Sequence, residues 1–322
     1  MSNNHSQEEK VKDVYPPVTR HFQLNNGVSI PLIGIGPRIT GVAFSIDDAD
    51  AGLWRFAKRV YNKLELKLLR GRRFTQSVAN GFRAGFTLFD YSVSYGWEHL
   101  IGRAIKQSGI DRRELFLTTR VTNKQQEKGN IREQLFKTLK QYRTDYVDLY
   151  MFHWPVPEVY LDTWKQMERL YKEGYCRAIG VANCHRSHLE KICKMAEIIP
   201  QVNQIEAHPL FTQKPLISYC KSKNIAVEAY SPIARNDDRL VNLPKLKAVA
   251  KKYNKSVIQI ILRWHIQNEI IPIVRSLNKR RQIEDISIFD FKLTEDEMKT
   301  IDGFNINSRL RFDPDNCDFS IL

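Results

Sequence analysis

The stretch Phe86–Glu98, FTLFDYSVSYGWE, begins with a short apolar run and continues into a polar loop. The run Phe86–Phe89 follows Gly85 and is typical of a strand buried on both faces in a parallel sheet. Asp90 ends this strand, and Tyr95 follows five residues later. A buried carboxylate is costly unless it is paired, so Asp90 needs a partner. Taken alone, the stretch favours a plainer interpretation, in which the aspartate caps the next helix and the tyrosine lies on the surface.

Apolar runs of this kind recur along the chain and alternate with stretches of helical periodicity. The runs cover residues 32–35, 86–89, 115–119, 147–152, 178–181, 201–205, 225–229 and 270–274. Helices are predicted between them over 131–141, 161–173, 187–197, 214–223 and 245–253. Eight strand–helix alternations favour an α/β fold of the (β/α)8 TIM-barrel type over a doubly wound sheet. Ahead of the barrel, FQLNNGVSIPL at 22–32 predicts a β-hairpin.

The length and composition of the chain limit its class. With 322 residues it can form one large core, and we predict a disordered tail over 1–18 and a single barrel domain over 19–322. The first ten residues lack the apolar segment of a secretory signal, and no apolar run is long enough to span a membrane. Five cysteines without CxxC spacing predict reduced thiols in the cytoplasm and no metal site.

The net charge of +14 suits a polyanionic partner such as nucleic acid or a phosphate-bearing cofactor. The basic residues are spread along the chain, with denser groups at 58–73 and 279–281. No zinc-finger or RNA-binding signature accompanies them. A solvated surface therefore explains most of these charges, and a nucleic-acid-binding module is the least favoured alternative.

The predicted strand ends bring together groups that can do chemistry, because catalytic residues of a (β/α)8 barrel lie at the carboxyl ends of its strands. Three consecutive strands end in Asp90 with Tyr95, in Arg120 and in His153. An acid, a phenol, a cation and an imidazole thus converge on one mouth, where the phenol can donate a proton. Later strands end in amides, an aromatic ring and a basic group: Asn183, Gln204, Tyr230 with Ser231, and Arg275 with Ser276.

Several longer motifs resemble the aldo-keto reductases, a family of NADPH-dependent (α/β)8-barrel enzymes. The motifs are DLYMFHWPVP at 148–157, GVAN at 180–183, QVNQIEAHP at 201–209, AYSP at 229–232, IFDFKLTEDEM at 288–298 and RFDPD at 311–315. The resemblance covers roughly residues 20–37 and 73–318 and is strongest to the bacterial branch related to 2,5-diketo-gluconate reductases. It implies a cytoplasmic enzyme that reduces a small-molecule carbonyl substrate, an aldehyde or a ketone, to an alcohol.

The resemblance also implies roles for individual residues. The family's catalytic aspartate, tyrosine and histidine fall on Asp90, Tyr95 and His153, with the tyrosine as the proton donor. The residues implied to bind NADPH are Asn183 and Gln204 at the carboxamide, Tyr230 on the nicotinamide ring with the adjacent Ser231, and Arg275, Ser276 and Arg281 at the 2′-phosphate. Trp97 and Trp154 are implied to line the substrate pocket. The basic group at the phosphate favours NADPH over NADH, since arginine forms strong contacts with phosphate.

The chain departs from the family in two places. Arg120 replaces the family's catalytic lysine; it keeps the positive charge and can pair with Asp90 bidentately. Because arginine is longer and planar, two alternatives stay open: an active reductase, or an NADPH-binding pseudoenzyme or redox-sensing partner protein. An insertion over about 38–70 follows strand one, with an amphipathic helix predicted at 50–69 that acts as a lid or packs outside the barrel. Family resemblance suggests a monomer or weak dimer.

Overall fold

The computed structural model describes residues 20–36, 71–95 and 98–319. The predicted tail at 1–18, the predicted insertion at 38–70 and Trp97 lie outside these described residues. None of the described helices combines the length and the apolar character that crossing a membrane requires. The barrel, its hairpin and nearly all of the predicted site residues fall within the described part.

The described elements follow the predicted alternation. The strands are β1 (His21–Gln23), β2 (Ser29–Pro31), β3 (Gly34–Ile35), β4 (Leu88–Asp90), β5 (Phe116–Val121), β6 (Val147–Phe152), β7 (Cys176–Ala182), β8 (Val202–Glu206), β9 (Ala226–Tyr230) and β10 (Ile270–Val274). The helices are α1 (71–83), α2 (Glu98–Ser108), α3 (Asn123–Lys128), α4 (Ile131–Tyr142), α5 (Tyr160–Lys172), α6 (Arg186–Met195), α7 (Lys214–Ser222), α8 (Asp238–Val241), α9 (Pro244–Tyr253), α10 (Val257–Gln267), α11 (Lys279–Ile286) and α12 (Glu295–Asp302).

Strands β3 to β10 form a closed parallel barrel in chain order, with β10 pairing to both β9 and β3. Each of the eight predicted runs corresponds to one of these strands, so the prediction of a (β/α)8 barrel is confirmed. The parallel arrangement brings the carboxyl ends of all eight strands to one rim. That rim holds the predicted site.

The hairpin of β1 and β2 is antiparallel, as predicted, and contributes to the apolar layer inside the barrel. Leu24 and Ile30 of the hairpin region pack with inward-facing residues of the barrel strands, among them Leu88 and Phe116. The side-chain amide of Asn25 donates to the carbonyl of Pro200, just before β8 (3.1 Å). Because that contact lies at the amino ends of the strands, the hairpin closes the end of the barrel opposite the site.

Alternation along the strands decides which residues face the barrel interior, since successive side chains of a strand point to opposite faces. On β4, Leu88 belongs to the inner apolar cluster and Phe89 to the outer one, so Asp90 faces inward. The same step places Arg120 inside on β5, Gln204 inside on β8 and Glu228 inside on β9. Polar inward residues therefore sit above an apolar layer, at the carboxyl half of the barrel.

The outward-facing residues of the strands pack against the surrounding helices. Phe89, Leu117 and Val121 are fully or almost fully buried against a core that includes Ile101 of α2 and Leu135 of α4. Burying one such side chain stabilises the folded state by about 1.5–3 kcal/mol. This packing fixes the strands, and the strands fix the direction of the polar side chains at the rim.

Candidate active site

A cavity of about 540 Å³ opens at the carboxyl ends of the barrel strands. Most of the predicted site residues line it: Asp90, Tyr95, His153, Trp154, Asn183, Gln204, Tyr230, Ser231 and Arg275. Gly36, Arg235 and Arg311 also contribute to its wall. Arg120 is buried beside Asp90 and does not line the cavity, while Ser276 and Arg281 lie outside its wall. Nine of the predicted site residues therefore line one cavity.

The phenol of Tyr95 and the imidazole of His153 are neighbours in the wall of this cavity. Tyr95 ends the short 3₁₀ turn Val93–Tyr95 that follows β4. Its ring centroid lies 6.3 Å from that of His153, with the two ring planes at 81°. The backbone N–H of His153 donates to the carbonyl of Val121 (3.0 Å), which holds the histidine against the end of β5. A proton donor and a second polar ring are therefore directed at one volume.

Arg120 is the centre of a buried polar group. Its side chain is 1% exposed and forms an ion pair with Asp90 through Nη2. The same nitrogen donates to Oε1 of Gln204 (2.6 Å), and Nη1 donates to the carbonyl of Tyr91 (3.2 Å). Arg120 thus pairs with Asp90 through one nitrogen, not through the two that a bidentate pair would use. The guanidinium extends past the aspartate across the barrel, so only one of its nitrogens is left to meet the carboxylate.

The surroundings of Arg120 keep its guanidinium protonated. Burial lowers the pKa of the guanidinium, but the charge of Asp90, with smaller contributions from Tyr95 and Glu228, raises it above its usual value. The arginine is therefore a permanent cation near the tyrosine. A cation so placed stabilises negative charge that develops on the phenol oxygen when its proton leaves.

Glu228 completes this group and was missed by the sequence analysis. It lies opposite Gln204 in the pairing of β8 and β9, and its Oε2 accepts a hydrogen bond from Gln204 Nε2 (2.7 Å). Burial, followed by the nearby charge of Asp90, raises the pKa of Glu228 to about 8. A signal was present, because Glu228 stands two residues before Tyr230 and so shares its inward face. We call Asp90, Arg120, Gln204 and Glu228 the central cluster.

Asn183 links three strand ends at the cavity wall. Its side-chain nitrogen donates to the carbonyl of His153 (2.9 Å), and its oxygen accepts from the hydroxyl of Tyr230 (2.7 Å). The residue adopts a left-handed backbone conformation, with φ of 59°, which asparagine tolerates better than most residues. Ala182, where the family usually has serine, is buried beside it. The amide is thereby held at the cavity wall between the histidine and the aromatic ring.

The basic side of the site lies at the end of β10 and the start of α11. Arg275 lines the cavity, together with Arg235 and Arg311 from other loops. Ser276 is buried, and its hydroxyl donates to the carbonyl of Asn278 (3.3 Å). Arg281 lies in the first turn of α11 with an exposed side chain. The cavity has an aromatic ring and an amide near Tyr95 and His153, and it has cations elsewhere on its wall. Such a cavity suits an elongated dinucleotide that carries phosphate groups.

The segment that follows α12 lies along the same rim and is held at two places. Glu206, at the end of β8, accepts the backbone N–H groups of Leu310 (2.6 Å) and Arg311 (2.9 Å). Further on, Asp315 accepts from the imidazole of His185 (2.6 Å), which follows β7. These contacts place Arg311 on the cavity wall.

The second attachment involves five residues, His185, His188, Arg309, Asp313 and Asp315, which we call the tail clasp. A ring nitrogen of His185 and the carboxylates of Asp313 and Asp315 lie within 4.8 Å of one another, as in a cation site. However, Arg309 donates to Nε2 of His185 (3.2 Å), so the neutral ring carries its proton on Nδ1, toward Asp315. A metal ion needs a lone pair at that nitrogen, so the geometry favours a hydrogen-bonded clasp.

Comparison with known proteins identifies the class of enzyme to which this barrel and its rim belong. The model of the aldo/keto reductase family matches residues 72–306. A glyoxal reductase of Bacillus subtilis is 38% identical over 297 residues, which are 92% of this chain and 97% of that protein. The chain belongs to the aldo-keto reductase family and is an enzyme of that family.

Solved structures of family members superimpose on the whole barrel. An aldo-keto reductase from a deep-sea metagenome library has a TM-score of 0.81 and 32% identity, with 93% of this chain and all of that chain covered. An aldo-keto reductase of Bombyx mori, solved in complex with NADP, has a TM-score of 0.77 and 32% identity, with 92% and 96% covered. A relative with the same fold and a similar degree of identity is therefore known to bind NADP.

Proposed function

We propose that this protein is an NADPH-dependent reductase that converts an aldehyde or a ketone to an alcohol, with Tyr95 as the proton donor. The observation that carries the proposal is the shared cavity of Tyr95 and His153, with the Arg120–Asp90 ion pair buried beside it. A carbonyl oxygen placed between the two rings can receive a proton from one and a hydrogen bond from the other. The absence of the family's lysine does not remove the cation that this arrangement needs.

The proposed roles of the chain's residues follow from their positions. NADPH, when bound, supplies the hydride. Tyr95 donates its proton to the substrate oxygen, and His153 orients that oxygen. Asn183 and Tyr230 hold the nicotinamide end of the cofactor, while Arg275, together with Ser231, Ser276 and Arg281, holds the phosphate end. Trp154 is buried, lines the cavity and limits the size of the substrate on that side.

A 1,2-dicarbonyl compound is the first substrate to examine, because the relative from Bacillus subtilis is a glyoxal reductase. From the sequence motifs we also propose that the chain belongs to the bacterial branch related to 2,5-diketo-gluconate reductases. All five cysteines are free thiols, in keeping with a reducing compartment such as the cytoplasm. We retain the proposal of a monomer or weak dimer.

A second candidate function is an NADPH-binding pseudoenzyme or redox-sensing partner protein. One observation favours it: Gln204, which the family resemblance assigns to the nicotinamide, is bonded to Arg120 and Glu228 instead. Because both ends of this amide are already bonded within the protein, it has fewer hydrogen bonds left for the nicotinamide. Chemistry and cofactor binding must therefore be measured separately.

The test is a fluorescence titration with NADPH, followed by turnover assays with glyoxal, methylglyoxal and simple aldehydes. We expect the wild type to bind NADPH and oxidise it when a carbonyl is present. Tyr95→Phe should bind NADPH normally and lose about 10²–10⁴-fold in kcat, because the proton donor is removed. Binding without turnover in the wild type, with turnover restored by Arg120→Lys, would support the pseudoenzyme and contradict the reductase proposal.

A further inference from the structure

We propose that Gln204 and Glu228 are positioning residues for Arg120, so that Gln204 serves the proton-donating tyrosine rather than the nicotinamide. This inference rests on the proposed function, since it concerns the surroundings of the same tyrosine. Gln204 lines the cavity, but both ends of its side-chain amide are bonded to buried ionisable groups. Its oxygen accepts from Arg120 (2.6 Å), and its nitrogen donates to Glu228 (2.7 Å).

The reach of arginine makes this link possible. In the barrel, β6 and β7 separate β5 from β8, so Arg120 crosses the interior to contact Gln204. Its Nη2 bridges Asp90 and Gln204, and its Nη1 binds the carbonyl of Tyr91. Three acceptors therefore fix the plane of the guanidinium: two from the consecutive residues Asp90 and Tyr91, and one from Gln204 on the far side of the barrel. A cation held in one orientation acts on Tyr95 without having to reorganise during the reaction.

Glu228 sets the orientation of the Gln204 amide. If the amide were reversed, its NH₂ group would face the donors of Arg120, and its oxygen would face the carboxyl oxygen of Glu228. The contact with Arg120 would be unfavourable in a buried site, where an unpaired polar group costs about 1–3 kcal/mol, and an ionised Glu228 would repel the amide oxygen as well. The acceptor provided by Glu228 thus keeps the oxygen of Gln204 pointed at Arg120. Glu228 acts on the arginine through the amide.

The charge balance of the central cluster depends on pH. The charged groups that interact with Glu228 are Asp90 on β4, whose charge raises its pKa, and Arg120 on β5, whose charge lowers it. β8 contributes the neutral Gln204, and β10 (Ile270–Val274) contains no titratable side chain. Near neutral pH a protonated Glu228 leaves Asp90 and Arg120 as a balanced pair. When Glu228 ionises, a second carboxylate competes with Asp90 for the guanidinium.

The direction of the pH effect on catalysis follows from this balance. Because the pKa of Glu228 is raised to about 8, ionisation occurs above neutrality, and kcat for carbonyl reduction should fall as the pH rises through about 8. Glu228→Gln keeps a neutral acceptor at every pH and should remove this decline. Glu98→Gln is the matched control, since Glu98 is a second buried carboxyl whose pKa burial raises to about 7, bonded to Thr138 of α4. It should leave the decline in place.

Arg120→Lys provides a test that does not depend on activity. A lysine ammonium is a compact point charge on a shorter stem, so it can pair with Asp90 but cannot also span to Gln204. Chemical denaturation at pH 7 would compare Gln204→Leu in the wild type and in Arg120→Lys. We expect the loss in denaturation midpoint caused by Gln204→Leu to be at least halved in the lysine background, because the bond it removes is already absent.

Gln201→Leu is the control for this cycle. Gln201 is buried just before β8, and its amide bonds the backbone of Ile179 (2.8 Å) and Ile199 (2.8 Å). The fall in denaturation midpoint caused by Gln201→Leu should be the same in the wild type and in Arg120→Lys. Equal losses from Gln204→Leu in the two backgrounds would overturn the proposal.

The kinetic result adds a second criterion. We expect Gln204→Leu to lower kcat by up to about 10²-fold, through misplacement of Arg120, with little change in the Kd for NADPH. A large rise in Kd with unchanged kcat would instead assign Gln204 to the nicotinamide and overturn the inference. Should the wild type reduce no carbonyl at all, the proposed function fails while the stability cycle still decides whether Gln204 and Glu228 position Arg120.

Discussion

The central cluster and the tail clasp both join charged side chains from distant parts of the chain, but they lie in opposite environments. In the cluster, the side chains of Arg120 and Asp90 are 1% and 7% exposed. In the clasp, those of His185 and Asp315 are 21% and 46% exposed. Exposed charges are screened by water and gain little from pairing, whereas buried charges that lose a partner are costly. The cluster therefore tolerates little change, and the clasp contributes mainly to the position of a segment.

The two regions also respond to pH in opposite directions. The pKa of Glu228 is raised above its unfolded value of 4.5, so its contribution to stability is fully present below that value and declines as the pH rises, until it is lost at about pH 8. The pKa of His188 is lowered, chiefly by burial, although the charge of Asp315 opposes this. Its contribution is present above the ordinary histidine pKa and is lost as the pH falls. A falling pH thus loosens the rim, and a rising pH up to about 8 loosens the barrel interior.

Removing the buried cation should have the largest effect. Arg120→Met leaves Asp90 buried without its ion-pair partner, and we expect a loss of about 3–5 kcal/mol in the free energy of unfolding. Turnover should fall below detection, because the cation near Tyr95 is gone. Equilibrium denaturation with urea measures the first effect, and NADPH oxidation the second. Arg132→Met is the control: Arg132 pairs with Glu173 on the surface, both about half exposed, and its loss should change stability little. Similar losses from the two variants would contradict the contrast drawn between buried and exposed pairs.

An intermediate effect is expected from Glu206, which lies between the two regions. Its buried carboxylate accepts two backbone N–H groups of the tail, from Leu310 and Arg311. Burial raises its pKa, but the hydrogen bonds from His208 and from these two residues lower it below the usual range. Glu206→Gln retains the volume but replaces one acceptor by a donor. We expect a loss of about 1–3 kcal/mol.

Limited proteolysis distinguishes a local effect of Glu206→Gln from a global one. Cleavage should increase within the segment after α12, which Glu206 holds against the rim, and stay unchanged in the barrel. Glu190→Gln, which removes an exposed ion pair with Arg186 on α6, is the control. If both variants leave the tail equally protected, Glu206 does not anchor the segment.

The contrast between the regions also explains how much the sequence could predict. Strand alternation and the order of strand ends are local patterns, and they were enough to predict the barrel and to bring Asp90, Tyr95 and His153 to one rim. Trp154, Asn183 and Tyr230 followed in the same way, as did Arg275. Each of these residues occupies a position that its own strand fixes relative to the barrel axis.

What the sequence could not predict depends on contacts across the barrel or across the chain. The sequence shows that Arg120 is long enough to pair with Asp90. Whether one or two of its nitrogens bind the carboxylate depends on a competing acceptor 84 residues away, the amide oxygen of Gln204. Glu228 was overlooked because a glutamate inside a strand gives no local sign of its partners. The clasp joins residues 130 positions apart, His185 and Asp315, and no periodic pattern connects them. The predicted insertion and Trp97 lie outside the described residues, so their roles stay predictions.

The smallest expected effect concerns His188 of the clasp and sharpens the pH contrast. His188 accepts the backbone N–H of His185 at Nδ1 (3.1 Å) and faces Asp315 with Nε2 (3.5 Å). Because its pKa is lowered in the folded protein, the free energy of unfolding should decrease as the pH falls below about 6.5, the ordinary histidine value. His188→Gln keeps an acceptor for the same N–H group, since glutamine at this helix position forms the usual capping box, but it cannot be protonated. We expect it to remove less than about 1 kcal/mol of the loss below pH 6.5, while the decline with rising pH that Glu228 causes stays. The thermal midpoint measured between pH 5 and pH 9 tests this, with Glu228→Gln as the reciprocal variant that removes the decline between about pH 5 and pH 8. The two variants should change the slope of the profile in opposite directions, and a change of the same sign from both would show that the two regions do not titrate independently.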